Sequence, residues 1–351
     1  MFPIIHLHVS DPYQRGLIYG GQAKKQIEIC VQYYKRAFGR KGMLWPKLRL
    51  FVNRFSETIK QVCPEQLREL QGIADGSGQS FEDIMIINAR YEISKFPKDP
   101  ECTTGVVLSE AAADGHVYGF KNWDFVQSAM DHIVILDVMT EEGVHCIGFA
   151  EAGQIMRDGV NNRGMAILCN NLQSVNDYAG YALPVTCLRR KVLSMQSYDE
   201  AEALVRQVKR TTSNNILLLD AKTERARDFE WQPDGVADEI EPESGILVHA
   251  NHFVVHPERD ALVGRPRNRD VRLRELLMAQ HGRIDLDIIK ECLKDHMYYT
   301  LSICGHPNPG GEAYTCDRMT VSSLICDFTA GKVYITQGPP CCNEYMEFDL
   351  S

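Results

Sequence analysis

Pro100-Glu101-Cys102-Thr103-Thr104-Gly105-Val106-Val107, read with Gly119-Phe120-Lys121-Asn122-Trp123-Asp124-Phe125, marks the change of pattern around which the chain is arranged. Before it, apolar residues recur at helical spacing; after it, they fall in short runs separated by turn residues. Pro97, Asp99 and Pro100 continue a helix poorly and predict an exposed, extended linker. Cys102 then opens the first strand. A cut in the bond before Cys102 would give one residue both a thiol and a free α-amine. The ordinary pKa of such an amine, about 8, suits it to take up and return a proton during acyl transfer. From position alone the plainer reading, Cys102 as one of twelve cysteines used as small core hydrophobes, carries more weight.

Upstream of this stretch the chain reads as helices. Ser10-Asp11-Pro12 supplies a cap and a first-turn proline for a long helix from about Tyr13 to Phe38. Leu48, Phe51, Phe55 and Ile59 predict a second helix that ends before Pro64, and Pro64 starts a third that runs to Gly76-Ser77-Gly78. Ser80 caps a fourth, through Ile84 and Ile87. Downstream, Cys102–Ser109 and His116–Trp123 read as a hairpin turning at Asp114-Gly115, and two more hairpins follow between Ile133 and Asn171. Helices at Pro184–Met195 and Tyr198–Val208 precede strands at Asn215–Leu219, Ala226–Trp231 and Ile246–His249. Helices at Asp270–Gln280 and Asp285–His296 and strands at Thr320–Asp327, Val333–Gln337 and Tyr345–Phe348 complete the chain. This order suits helices on the outer faces of two packed antiparallel sheets.

The 351 residues are 44% hydrophobic and 24% charged, and no apolar run approaches the roughly 18 residues that span a bilayer, so a membrane role is not expected. A formal net charge of −9 opposes nucleic acid as a partner, although Arg265, Arg267, Arg269, Arg272 and Arg274 make one local basic cluster. Met1-Phe2-Pro3-Ile4-Ile5-His6 lacks the basic, apolar and small-residue order of an export signal, which makes the cytoplasm the expected compartment. The cysteines are scattered through apolar runs, as buried thiols are in a reduced compartment. There is no C-x-x-C, and Cys341-Cys342 has no second pair at zinc spacing, so no metal is expected. His249 and His252 have the spacing of helix-borne ligands, but the preceding Ile246-Leu247-Val248 predicts a strand, where i and i+3 point to opposite faces. Thr103 and Thr104 are read as ordinary strand residues.

Five short motifs in order change the weight on Cys102: Cys102-Thr103-Thr104, Asn122-Trp123-Asp124-Phe125, Glu151-Ala152-Gly153 with Gly159-Val160-Asn161, His249-Ala250-Asn251-His252, and Leu301-Ser302-Ile303-Cys304. Together, over a span from the Gly16–Gly21 region to Gly338-Pro339, they resemble the acyl-coenzyme A:6-aminopenicillanic acid acyltransferase family of N-terminal nucleophile hydrolases. That resemblance implies an α+β fold, a four-layer αββα sandwich, with self-cleavage between Glu101 and Cys102. The products would be a mainly helical fragment 1–101 and a catalytic fragment 102–351, which stay associated. It further implies that Cys102 is the nucleophile and its α-amine the base, that Asn251 supplies an oxyanion-hole amide, and that Asp124 holds the ammonium or orients substrate. The reaction would make or break an amide bond of a small molecule, without metal or organic cofactor. Assembly into a homo-oligomer is left open.

The chain departs from the family pattern at two places. Glu101 stands where many relatives have the glycine that eases strain at the scissile bond, and Gly305 stands where many have an arginine that binds an acidic group. His306 and Arg157 are candidate replacement cations. Two other readings compete: an uncut thiol enzyme in which His249 or His252 activates the cysteine, and an inactive member that uses its cleft only to bind.

Overall fold

The structure, a computed structural model, describes residues 2–94, 102–261, 267–311 and 315–350. Glu101, the linker residues Pro97, Asp99 and Pro100, and Arg265 of the basic cluster lie outside the described residues. In chain order the first part holds β1 (Ile4–Leu7), α1 (Pro12–Gln22), α2 (Lys24–Arg40), α3 (Trp45–Arg49), α4 (Phe55–Val62), α5 (Pro64–Ser77), α6 (Phe81–Asn88) and α7 (Arg90–Ile93). Then come β2 (Cys102–Val107), β3 (Tyr118–Val126), β4 (Ile133–Met139), β5 (His145–Glu151), β6 (Asp158–Asn161) and β7 (Met165–Leu168). After α8 (Val185–Ser194) and α9 (Tyr198–Gln207) lie β8 (Asn214–Asp220), β9 (Arg225–Gln232), β10 (Gly235–Ile240) and β11 (Ile246–His249). The last elements are α10 (Arg269–Met278), α11 (Leu286–Leu293), β12 (Arg318–Asp327), β13 (Lys332–Ile335) and β14 (Met346–Asp349).

These elements form two compact units. The first takes Met1–Phe96, Asp131–Arg163 and Asp177–Thr212, and the second Pro97–Met130, Gly164–Asn176 and Ser213–Ser351. In the first unit the strands run β1-β4-β5-β6. The expected long first helix is instead two, because the chain bends at Ala23, where ψ is 17°. Asp11 Oδ1 accepts from Gln14 N at 2.9 Å as the α1 cap, and Ser80 Oγ from Asp83 N at 3.2 Å as the α6 cap. Helices α1 and α5 touch backbone to backbone through Gly16, Gly20, Gly72 and Gly76: a Cβ on Gly16 would sit 2.1 Å from the Glu69 carbonyl oxygen, and one on Gly72 2.1 Å from that of Tyr13. Only glycine permits that approach. The Glu151-Ala152-Gly153 motif ties helices to strands within this unit. Buried Glu151 accepts from Arg90 at 2.8 Å and Tyr34 at 2.6 Å, and Gly153, at φ 89°, gives its carbonyl to Asn88 Nδ2 at 2.8 Å.

The second unit holds two antiparallel sheets, β7-β8-β9-β10 and β11-β2-β3-β12-β13-β14. They face one another: Lys121 Nζ on β3 donates to the Cys169 carbonyl just past β7, and Gly119 packs against Leu168 and Leu219. Helices α10 and α11 cover the other face of the six-stranded sheet through Leu273, Leu277, Ile289 and Leu293, which meet Phe120 and Ile325. Asn122 Nδ2 fastens that layer by donating to the carbonyls of Leu293 and Ile303, each at 2.9 Å. Helices on sheet in one unit, and sheet, sheet and helices in the other, are the layers of the expected α+β class. Two strands were not expected, β1 and β10. Strand β1 pairs with β4 in parallel, against the antiparallel expectation, and β10 pairs with β9 around a bulge between Val236 and Asp238.

Candidate active site

Strand register assembles the site within the second unit. Cys102 is the first residue of β2, fully buried, and pairs with Trp123 on β3. On the other side β11 pairs with β2 as far as His249↔Thr104. Two further residues along that register lies Asn251, opposite Cys102. Its Oδ1 accepts from the Cys102 backbone N and from Arg269 Nη2 at 3.0 Å, while its Nδ2 donates to the Asn171 carbonyl at 2.9 Å. Two donors at the oxygen and a carbonyl at the nitrogen fix which way the amide faces.

Alternation along the strands separates the two carried-over partners of Cys102. Thr104 and Lys121 face the β7-β8-β9-β10 sheet, where Thr104 Oγ1 accepts from Asn170 Nδ2 at 2.9 Å. Asn122 faces α11, and Asp124, two residues on, shares that side. Asp124 therefore reaches Cys102 through an intermediary. Arg269 Nη1 donates to Asp124 Oδ2 at 2.9 Å, Thr320 Oγ1 donates to Asp124 Oδ1 at 2.6 Å, and the second arm of Arg269 holds Asn251. Arg269 opens α10, where the helix dipole disfavours a cation, and it is nearly buried; the Asp124 carboxylate, itself buried, offsets both penalties. No sequence signal announces this role, because Arg269 stands among arginines that read as surface charge.

A buried polar layer backs the site. His249 Nδ1 donates to the Ala250 carbonyl at 2.7 Å and Nε2 to Glu230 Oε1 at 3.0 Å. Burial opposes its charge, but Asp228 and Glu230 overcome it and push the imidazole up to about 9, so it is cationic at neutral pH. Burial conversely pushes Asp228 up to about 6, against the pull of His249 and the Asn215 hydrogen bond. With both nitrogens engaged and its proton held, His249 is poorly placed as a base for a thiol. His252 lies past the end of β11, so the opposite-face expectation does not apply to it: its ring stacks on that of His249 at 6.2 Å and its Nε2 lies 3.4 Å from Asp270. Thr103 Oγ1 has no hydrogen-bond partner among the described residues.

At Gly305 a Cβ would meet Thr320 N at 3.5 Å and Asp124 Cγ at 3.8 Å, ordinary contacts that leave room for a side chain beside the carboxylate. The guanidinium at Asp124 comes from Arg269 instead. His306 is no substitute cation, since burial and the neighbouring His296 hold its imidazole below the usual range. Arg157 belongs to the first unit, where it donates to Tyr91 Oη at 3.1 Å.

The two packed antiparallel sheets with helices have the layers of the N-terminal nucleophile hydrolase fold. A solved structure of the conjugated bile acid hydrolase from Clostridium perfringens shares the fold at 15% identity and a TM-score of 0.51, over 71% of this chain and 92% of that one. An N-acylethanolamine-hydrolyzing acid amidase ortholog from Caenorhabditis elegans matches at 16% identity and a TM-score of 0.47, over 65% of this chain and 93% of that one. Residues 111–338 match the acyl-coenzyme A:6-aminopenicillanic acid acyl-transferase family, and the chain belongs to it. The 40 kDa form of that acyltransferase from Emericella nidulans is 25% identical over 346 residues, 95% of this chain and 93% of its own. No helix among the described residues is long and apolar enough to cross a membrane.

Proposed function

We propose that the protein is a self-processing acyltransferase or amidohydrolase that acts on small N-acylated amines or amino acids, or on acyl-thioester donors, through an acyl-thioester on Cys102. The observation that carries this reading is the hydrogen bond from the Cys102 backbone N to Asn251, in a chain held by Arg269 and Asp124. It aims an acceptor at the nitrogen that becomes the α-amine. In maturation the Cys102 sulfur attacks the carbonyl carbon of Glu101, and the C–N bond breaks as the nitrogen takes up the thiol proton. Water then hydrolyses the thioester, leaving the Glu101 carboxylate and a free Cys102. In turnover the α-amine takes the thiol proton, the thiolate attacks the substrate carbonyl, and the same proton goes to the leaving amine. Water or an amine then accepts the acyl group.

Asn251 holds the amine through its oxygen, and its NH₂ group, which gives one hydrogen to the Asn171 carbonyl, has a second N–H as the donor for the oxyanion; such a donor lowers the barrier by about 3 to 4 kcal/mol. Asp124 and Arg269 are positioning residues. An uncut enzyme using His249 is disfavoured by the engagement of both its ring nitrogens. To test this reading, the protein is mixed with N-acyl amino acids and acyl-coenzyme A donors, quenched in acid and mapped by mass. An acyl adduct on the Cys102 peptide, absent from Cys102→Ala, is expected; turnover with the adduct on another residue would refute it.

A further inference from the structure

Three separate segments of the second unit bring a histidine and cysteine group together. His296 follows α11, Cys304 and His306 precede β12, and Cys341 lies between β13 and β14. Their ligand atoms, one per residue, all lie within 4.8 Å of one another. His306 Nε2 is the hub: 3.0 Å from His296 Nε2, 3.2 Å from Cys341 Sγ and 3.7 Å from Cys304 Sγ. A single imidazole nitrogen makes one hydrogen bond, as donor or as acceptor, so hydrogen bonding does not account for three partners at once. A tetrahedral ion does. With metal–nitrogen bonds of about 2.05 Å and metal–sulfur bonds of about 2.3 Å, ligand atoms stand about 3.4 Å (N to N), 3.6 Å (N to S) and 3.8 Å (S to S) apart.

We propose that His296, Cys304, His306 and Cys341 form a binding site for one borderline-soft divalent cation of the zinc type, apart from the nucleophile. Two thiolates and two imidazoles are a zinc donor set, and oxygen-preferring ions such as magnesium or calcium would not choose it. Binding releases the two thiol protons. Cys304 is fully buried while His296 is exposed, and a cavity of about 430 Å³ opens beside Cys341, so the site has both a fixed floor and an entrance. Spacing arguments pass over it because the ligands come from three segments and only Cys304 and His306 are near in sequence.

The site also has a route to Asp124. Gly305, between two ligands, donates from its backbone N to Thr320 Oγ1 at 2.8 Å, and that hydroxyl donates to Asp124 Oδ1. Occupancy would clamp this wall of the site as a structural ion.

The test uses the full-length protein, stripped with a chelator under reductant and titrated with Co²⁺ and then Zn²⁺. One equivalent of Co²⁺ should give the intense visible bands of a tetrahedral ion and a thiolate charge-transfer band, and Zn²⁺ should displace it and raise the melting temperature. Cys341→Ser and His306→Asn should each weaken binding by more than about tenfold, since even outer-shell losses cost that much. His296→Gln, at an exposed position, supplies the same test should either fail to fold. Cys102→Ala should bind unchanged, as should the double variant His6→Gln, His8→Gln, which alters a second cluster of ligand atoms formed by His6, His8 and Asp137. An octahedral spectrum without the thiolate band, binding unaffected by the ligand variants, or a Cys304–Cys341 disulfide in protein kept under reductant would overturn the proposal.

Discussion

Replacing Arg269 by methionine keeps the length of the side chain but deletes the guanidinium between Asp124 and Asn251. Asp124, only 4% exposed, then loses the guanidinium but keeps the Thr320 hydroxyl, and Asn251 Oδ1 keeps only Cys102 N of its two donors. Removing one member of a buried pair costs about 3 to 5 kcal/mol; because the Thr320 hydrogen bond survives, the lower end is expected here. Turnover should fall by up to about a hundredfold to a thousandfold, the usual effect of losing an oxyanion donor, because Arg269 holds Asn251 in place. The assays are urea unfolding, the rate at which full-length chain disappears, and kcat and KM on whichever acyl donor labels Cys102. If Arg269 positions Asn251, kcat falls while KM holds; if it binds an acidic substrate group directly, KM rises while kcat holds. Asp124→Asn combined with Arg269→Met should cost far less than the sum of the two, because both break one coupled unit. Wild-type processing and turnover in Arg269→Met would refute the chain from Asp124 to Cys102.

The buried His249 makes stability depend on pH: its folded value, about 9, lies above the ordinary imidazole value of 6.5, so the stability it contributes is present in full below about 6.5 and is lost as pH rises through 9. Melting temperature should fall over that window, and Glu230→Gln should flatten the fall; a Glu230→Gln profile as steep as the wild type would contradict the assignment. Gly72→Ala would put a Cβ 2.1 Å from the Tyr13 carbonyl oxygen and separate α1 from α5, at a cost of about 1 to 3 kcal/mol or more in denaturant unfolding, whereas Gly21→Ala, with nothing within 4 Å, should be close to neutral. Equal stability of the two variants would remove the close-packing account.

Much of this architecture is legible along the chain because local chemistry and tertiary structure agree. Asp11 with Pro12, Pro64 and Ser80 each place a helix start within a residue, and the change at Cys102 coincides with the start of β2. Where they disagree, reading fails for identifiable reasons. Strand β1 is four residues long and draws its hydrogen bonds from β4, far off in sequence, and β10, Gly235–Ile240, carries Asp238 and Glu239 in its short run. The break at Ala23 has no proline to announce it. Cys102 and Asn251 stand out through motifs, but that they lie opposite one another follows only from the β2–β11 register. Arg269 and the His296, Cys304, His306 and Cys341 cluster depend wholly on tertiary placement, so no window of sequence contains them. Gly305 illustrates the converse: an arginine missing from a motif is not an arginine missing from the site.

The central claim is that Cys102 becomes an N-terminal nucleophile by cutting the chain before itself, and intact mass tests it most directly. Freshly purified wild-type protein should resolve into species of residues 1–101 and 102–351 that co-elute under native conditions, while Cys102→Ala remains one chain of 351 residues. A wild-type protein that stays whole while catalysing acyl transfer, or an alanine variant that is cut at the same bond, would contradict the account.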